Sequence, residues 1–142
     1  MGRDRKNESR QERWAKMVST LMQEPAFAAM STSAQALYPW LKMECRTGEY
    51  TRNGHFQFSV RQAADALGVS NNTAGKALLD LQAKGFLVVT EQARLGVAGQ
   101  ARGNKYELTE LPLKGRKENF GRQLYKKWTK GNDYPVPTCK TN

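Results

Sequence analysis

The stretch that decides the fold is residues 59–90, SVRQAADALGVSNNTAGKALLDLQAKGFLVVT. Ser59 is a good N-cap residue, and the apolar residues that follow recur at helical spacing as far as Leu67. Gly68 can take the left-handed conformation that closes a turn, and Ser70 can cap a second helix. The buried face of this second helix is predicted to contain Ala74, Ala77, Leu78 and Leu81. Two helices joined by a tight turn are therefore expected.

A β-hairpin is predicted after the second helix. Lys84 and Gly85 end that helix, and residues 86–90 and 105–109 have the composition or the alternation of strands. The connection between them, residues 93–104, is rich in glycine, carries two arginines and contains no acidic residue. Such a connection next to a helix pair predicts a mobile, basic wing.

Two further helices and a short strand are predicted upstream. Trp14, Met17, Val18, Leu21 and Met22 share one helical face, and Pro25 ends or bends that helix. Residues 31–33 can cap the next helix, on which Ala34, Leu37, Tyr38, Leu41 and Cys45 share a face. Pro39 is expected to kink this helix or to make it start later. Residues 55–58 alternate as a short strand does.

With these elements in place, residues 58–73 and 78–87 resemble bacterial and phage winged helix-turn-helix proteins, and residues 25–38 are similar to their leading helices. The resemblance covers roughly residues 14–112. It implies a mainly α fold with a small antiparallel β-sheet, in which a three-helix core carries a β-hairpin wing. It also implies that the second helix of the pair enters the major groove of DNA. Pro39 and Gly75 depart from the pattern.

The charge of the chain is concentrated at its two ends. Residues 1–16 have a net charge of +3 and residues 112–142 a net charge of +6, whereas residues 17–111 contribute only +1. We expect a disordered basic arm at 1–13, a DNA-binding domain at 14–112 and a basic C-terminal extension at 113–142. A total of +10 favours a polyanionic partner, and double-stranded DNA is the leading one. A merely solubilising surface is the alternative.

The residues expected to contact DNA lie on the helix pair and on the wing. Asn71 and Asn72 can pair with adenine, and Lys76 can reach a phosphate or a guanine edge. Arg61 is a candidate phosphate clamp, and Ser70 and Thr73 are candidate phosphate donors, although Ser70 is equally explained as a cap. The wing contributes Arg94, Arg102 and Lys105. Gly75 costs about 1 kcal/mol of helix stability relative to alanine, and either weakens the helix or allows DNA to approach its backbone.

The C-terminal extension and the histidine and cysteine residues give weaker signals. Phe120, Leu124 and Trp128 have the spacing of a short basic amphipathic helix, but nearby glycines and prolines favour a loose tail equally. The lone histidine, His55, and the distant pair Cys45 and Cys139 make neither a catalytic constellation nor zinc spacing. No enzyme activity, metal or cofactor is expected.

The leading functional prediction is sequence-specific binding of double-stranded DNA by a transcriptional regulator. One alternative is a replication-initiation or mobile-element accessory protein, and another is an adaptor that uses the winged helix to bind proteins. The chain shows neither a secretory signal nor an apolar run of the ~20 residues that a membrane span needs, which predicts a cytoplasmic, nucleoid-associated protein. A homodimer on a near-palindromic site is also expected.

Overall fold

The structure, a computed structural model, describes residues 12–95 and 101–137, and this part of the chain is mainly helical with a small antiparallel sheet. Its α-helices are α1 (Ser19–Met22), α2 (Pro25–Ala28), α3 (Thr32–Cys45), α4 (Val60–Leu67) and α5 (Asn71–Ala83). Its strands are β1 (Phe56–Gln57), β2 (Leu87–Glu91), β3 (Arg94–Leu95), β4 (Ala101–Arg102) and β5 (Lys105–Leu108). Two 3-10 helices cover Gly48–Tyr50 and Leu124–Lys127. The predicted arm at residues 1–13 falls almost entirely outside the described residues.

Strand β5 lies in the middle of a three-stranded antiparallel sheet, in the order β1-β5-β2. Tyr106 of β5 is opposite Phe56 on one side and Val89 on the other, which confirms the predicted pairing of the two long strands. The register shifts between Val89 and Glu91, a bulge that bends the strand at this point. Beyond it, β3 and β4 form a separate two-stranded ladder. Residues 96–100, the predicted tip of the wing, lie outside the described residues.

Helix α3 supplies the centre of the core, and its predicted buried face is confirmed. Ala34, Leu37, Tyr38, Leu41 and Cys45 are all fully buried. Ser31 caps the helix by accepting a hydrogen bond from the Ala34 amide at 3.2 Å, so the start of the helix is not delayed. Pro39 is tolerated within the continuous helix, half-buried and off the face that makes the core.

The predicted helix from Trp14 to Met22 is wrong in extent. Only the single turn α1 is helical, and Leu21 is its one buried residue. Trp14 is 78% exposed, and the stretch from it to Val18 has no regular structure. Met17 and Val18 still pack against the core, half-buried, whereas Trp14 and Met22 are exposed. The apolar residues thus reach the core from a segment that is irregular up to Val18.

The C-terminal segment packs on the same core as the helices, and it is neither the predicted amphipathic helix nor a loose tail. The ring of Tyr125 stacks on Phe86 with centroids 4.7 Å apart and planes 5° from parallel. Tyr125 and Trp128 are both buried, whereas Phe120 is 61% exposed. Only Leu124–Lys127 is helical, as one 3-10 turn. The core therefore extends well past residue 112, the boundary expected from the sequence.

Asn53 joins the loop before β1 to the end of β5 and to the residues just after it. Its buried amide accepts a hydrogen bond from the Leu108 amide at 2.7 Å and donates to the Leu108 carbonyl at 3.0 Å. It also donates to the carbonyls of Leu111 and Pro112 at 2.9 and 3.1 Å. The side chain thus continues the pairing of β5 beyond the end of the two-residue strand β1, which fixes the base of the hairpin to the helical core.

Candidate nucleic-acid interface

The turn between α4 and α5 is built from local backbone requirements. The hydroxyl of Ser59 accepts a hydrogen bond from the Gln62 amide at 3.0 Å, and the Gln62 side chain accepts one from the Ser59 amide at 2.8 Å. This reciprocal capping box fixes the start of α4. At the other end Gly68 has φ +67°, the left-handed conformation predicted for it. Val69 then closes the turn by donating from its amide to the Ala64 carbonyl at 3.1 Å.

Helix α5 begins at Ser70, whose predicted capping role is confirmed. The Ser70 hydroxyl accepts a hydrogen bond from the Thr73 amide at 3.2 Å. It also lies 3.1 Å from the Thr73 hydroxyl, to which it can donate. In that arrangement the Thr73 hydroxyl keeps its own hydrogen free to donate outward. Ser70 therefore holds the helix start in place, and Thr73 is the better placed of the two to donate to a phosphate.

The outer face of α5 carries the side chains predicted to read DNA. Asn71, Asn72 and Lys76 are exposed, and Thr73 is half-buried. The opposite face packs against α3 and α4 through the predicted residues Ala74, Ala77, Leu78 and Leu81, all of them buried. Because the inward face is confirmed, the exposure of the outward residues follows from helix geometry. Free backbone amides in the first turn add a positive potential beside these side chains.

Gly75 lies on α5 between the inner and outer faces and is half-buried. A Cβ atom placed on it would be 3.9 Å from Cγ1 of Val60, which is an ordinary van der Waals contact. Packing within the domain therefore does not require glycine here. The two interpretations from the sequence, a simple weakness of the helix and an approach of a phosphate or a base to its backbone, are both compatible with this geometry.

Two cations next to the turn have uncompensated charge. Arg61 lies in the first turn of α4 and Lys76 in the second turn of α5, and both are exposed. Neither forms a salt bridge with any residue in the described ranges. Their charges are therefore available to a ligand rather than being used within the domain.

The C-terminal end of α5 is fixed by hydrogen bonds and ion pairs. Asp80 accepts a hydrogen bond from the Ser31 amide at 2.7 Å, at the start of α3. It also pairs with Lys84 at 2.8 Å. These contacts and the buried apolar face hold α5 rigidly in the domain. A rigid helix loses little conformational entropy on binding, which favours affinity.

The hairpin places two of the three predicted wing residues opposite each other. Arg94 of β3 and Arg102 of β4 are register partners in the outer ladder. Asn104 stabilises the joint between this ladder and the sheet, because its side chain accepts a hydrogen bond from the Ala93 amide. Lys105, the third, lies in the strand predicted over residues 105–109. It begins strand β5 and pairs with Glu91 at 3.3 Å, so part of its charge is offset within the domain.

The sequence analysis missed Gln62 and Asn104, which position the site. The Ser59-to-Gln62 spacing is the known signature of a capping box, so Gln62 was detectable. Asn104 had no such signal, because its contact depends on the exact geometry of the hairpin.

A buried polar cluster lies elsewhere, where α3 meets the segment after β5. The Tyr38 hydroxyl donates to one oxygen of Glu110 at 2.5 Å, and Lys42 pairs with the other at 3.1 Å. Burial, together with the nearby Glu110 carboxylate, raises the pKa of the Tyr38 hydroxyl well above its ordinary value of 10.0. Lys42 also donates to the Lys16 carbonyl. The cluster thus fastens the N-terminal segment to the domain.

Other kinds of site were searched for in residues 12–95 and 101–137. No group of three or more His, Cys, Asp or Glu side chains there could hold a metal ion. Within the same residues, every helix is too short or too polar to span a lipid bilayer. Comparisons of the chain with protein-family models, with curated proteins and with solved structures found no match.

Proposed function

We propose that this chain is a winged helix-turn-helix protein that binds double-stranded DNA, with α5 in the major groove. The proposal is supported by the order α3, β1, α4, α5, β2, β5 and by the central position of β5 in the sheet. In this interpretation the hairpin of β2 and β5 is the wing. It agrees with the expectation drawn from the sequence resemblance.

The observation that carries the proposal is the composition of the exposed start of α5. Two adjacent asparagines and one lysine are exposed on a helix whose opposite face is buried, with no acidic residue among 70–76. Asparagine makes paired hydrogen bonds to adenine, and lysine contacts phosphate or guanine. Arg61 on α4 is an exposed cation next to this helix, and the sequence adds Arg94 and Arg102 on the hairpin as candidate contacts to the DNA backbone.

The role that we propose for this binding is transcriptional regulation at a specific site. A regulator must recognise a defined DNA sequence, and the asparagine pair can provide this recognition. Phosphate contacts set the register of the protein on the duplex. Footprinting on the region upstream of the protein's own gene, compared with a replication origin, distinguishes regulation from the alternative role in replication initiation.

The experiment that tests DNA binding uses a matched pair of lysine substitutions. Duplexes selected from a random pool are titrated by fluorescence anisotropy with the wild type, with Lys76→Ala and with Lys114→Ala. Both lysines are exposed, and both changes remove one charge. Lys114 lies well past α5 in the chain, where its amide donates a hydrogen bond to the Asn53 carbonyl. Lys76→Ala should lower the dependence of log affinity on log salt by about 0.9, the value for one phosphate contact. Lys114→Ala should leave that dependence unchanged.

Three results would contradict the proposal. The first is equal effects of the two substitutions, which would indicate attraction by net charge alone. The second is failure of the selection to enrich any sequence. The third is loss of all DNA affinity near physiological salt while a partner protein co-purifies, which is the outcome expected of an adaptor.

A further inference from the structure

Three exposed lysines lie close together in sequence in the C-terminal segment, and the proposed DNA contact does not use them. Lys126, Lys127 and Lys130 are all exposed, on or just after the 3-10 helix. We call them the lysine surface. Tyr125 and Trp128, which alternate with them along the chain, are buried. The backbone that carries the three lysines is therefore held on the core. This lowers the conformational entropy lost when their side chains bind a ligand.

Asp133, the acidic residue nearest in sequence to these lysines, already has other partners. Asp133 accepts a hydrogen bond from the indole nitrogen of Trp128 at 2.8 Å, and Lys84 lies 3.9 Å from the same carboxylate oxygen. In the described ranges, none of the three lysines of the surface forms a salt bridge. None of these three charges is therefore held in a direct ion pair within the described part of the chain.

The lysine surface lies at the opposite end of α5 from the asparagine pair. The amide of Tyr134, in the same segment, donates to the carbonyl of Ala83 at 2.8 Å. Lys84 also lies over the Trp128 ring, 5.6 Å from its centroid. At a rise of 1.5 Å per residue, about 18 Å of helix separates Asn71 from Ala83. A duplex held by the first turn of α5 is therefore one helix length away from these lysines.

The chemistry of the lysine surface fits duplex phosphates better than unpaired bases. Binding of single strands depends on aromatic rings on which bases stack. The two aromatic rings of this surface are buried against the core, and Phe120 is the only exposed ring in residues 113–137. Lysines without a stacking platform act as point charges, which suits a sequence-independent contact with a phosphate backbone.

We propose that the lysine surface binds the backbone of a second DNA duplex, so that one chain links two duplex segments. This inference rests on the proposed function, in which the start of α5 holds the first duplex. Three phosphate contacts give a salt dependence of about 2.7 on logarithmic axes. Between 1 M and 0.15 M salt, this corresponds to about a hundredfold gain in affinity for the second duplex.

The experiment is a two-step capture of DNA. A selected duplex on beads is loaded with the protein and washed, and a fluorescent second duplex is then added. The triple variant Lys126→Ala/Lys127→Ala/Lys130→Ala should load onto the beads within about threefold of wild type, but should capture at least tenfold less of the second duplex. The control Lys114→Ala/Arg116→Ala/Lys117→Ala removes the same charge from the same segment and should capture normally. Thermal unfolding of both variants checks that they fold.

The two steps separate the possible failures. If the wild type does not load onto the first duplex, the proposed function and this inference fail together. If it loads but captures no second duplex, only the inference fails. Equal losses in both triple variants would show an effect of net charge and would also overturn it. If the lysine variant captures the second duplex as well as wild type, the two duplexes are linked by two associated chains, each of which binds DNA through its own α5. That result contradicts the role of the lysine surface.

Discussion

Replacing Asn53 with alanine tests how the sheet that carries the hairpin is held to the helices. The side chain is fully buried and makes four hydrogen bonds to backbone groups of Leu108, at the end of β5, and of Leu111 and Pro112 just after it. Alanine removes all four and leaves the Leu108 amide without its partner in the core. Asn53 lies between a predicted helix and a predicted strand and belongs to neither. Its importance therefore depends entirely on this non-local contact.

The expected loss can be worked out from these bonds. A buried polar group left unsatisfied costs about 1–3 kcal/mol. The Leu108 amide is buried and should bear the full cost, whereas Leu111 and Pro112 are half-buried and their carbonyls can be partly hydrated. We expect a total of about 3 kcal/mol, against the 5–15 kcal/mol of unfolding free energy typical of a domain. The melting temperature should fall by roughly 10 °C.

Urea unfolding followed by circular dichroism measures this loss directly. Asn119→Ala is the matched control, because Asn119 is exposed, and it should change the free energy of unfolding by less than about 0.5 kcal/mol. The denaturant dependence should be the same in both variants if each still unfolds in one step. A loss below 1 kcal/mol for Asn53→Ala would refute the reasoning, because it would mean that Asn53 does not satisfy the backbone of β5.

Four further predictions concern the interface and the core. Arg94→Ala combined with Arg102→Ala should weaken binding to all DNA sequences and lower the salt dependence by about one to two units; an unchanged salt dependence would reject the hairpin contact. Asn72→Ala should relax the preference at one base pair, by about 1–3 kcal/mol in a repeated selection, while nonspecific affinity stays nearly constant. Gly75→Ala should raise the free energy of unfolding by up to about 1 kcal/mol and yet weaken DNA binding, whereas equal or tighter binding would show that no DNA group approaches this backbone. Burial raises the pKa of the Cys45 thiol from 9.0 to about 12, so iodoacetamide should modify it only on unfolding, as seen by peptide mass mapping. Its contribution to stability should be complete below pH 9 and should fall as the pH rises from there toward 12, because the unfolded thiol ionises first.

The parts of the fold that follow from short-range rules could be predicted from the sequence. Ser59 and Ser70 cap their helices, and Gly68 and Gly85 take left-handed conformations, because each depends only on residues a few positions away. The exposed start of α5 could be predicted for the same reason, since the spacing of the alanines and leucines fixes which face is inward.

The remaining parts depend on contacts between distant segments. Tyr125 stacks on Phe86 across 39 positions of the chain, and Asn53 reaches Leu108 across 55. No periodicity in the sequence encodes either contact, so the C-terminal segment was read as an extension. The helix expected from Trp14 is shorter than its periodicity predicts, although Met17, Val18 and Leu21 of that face do pack on the core.

The most direct test of the central claim is an NMR titration of the 15N-labelled protein with a selected duplex. The largest amide shift changes should fall on residues 70–76 and on the hairpin strands Arg94–Leu95 and Ala101–Arg102, at the first equivalent of DNA. Shift changes confined to other parts of the chain, with the start of α5 unaffected at saturation, would contradict that claim.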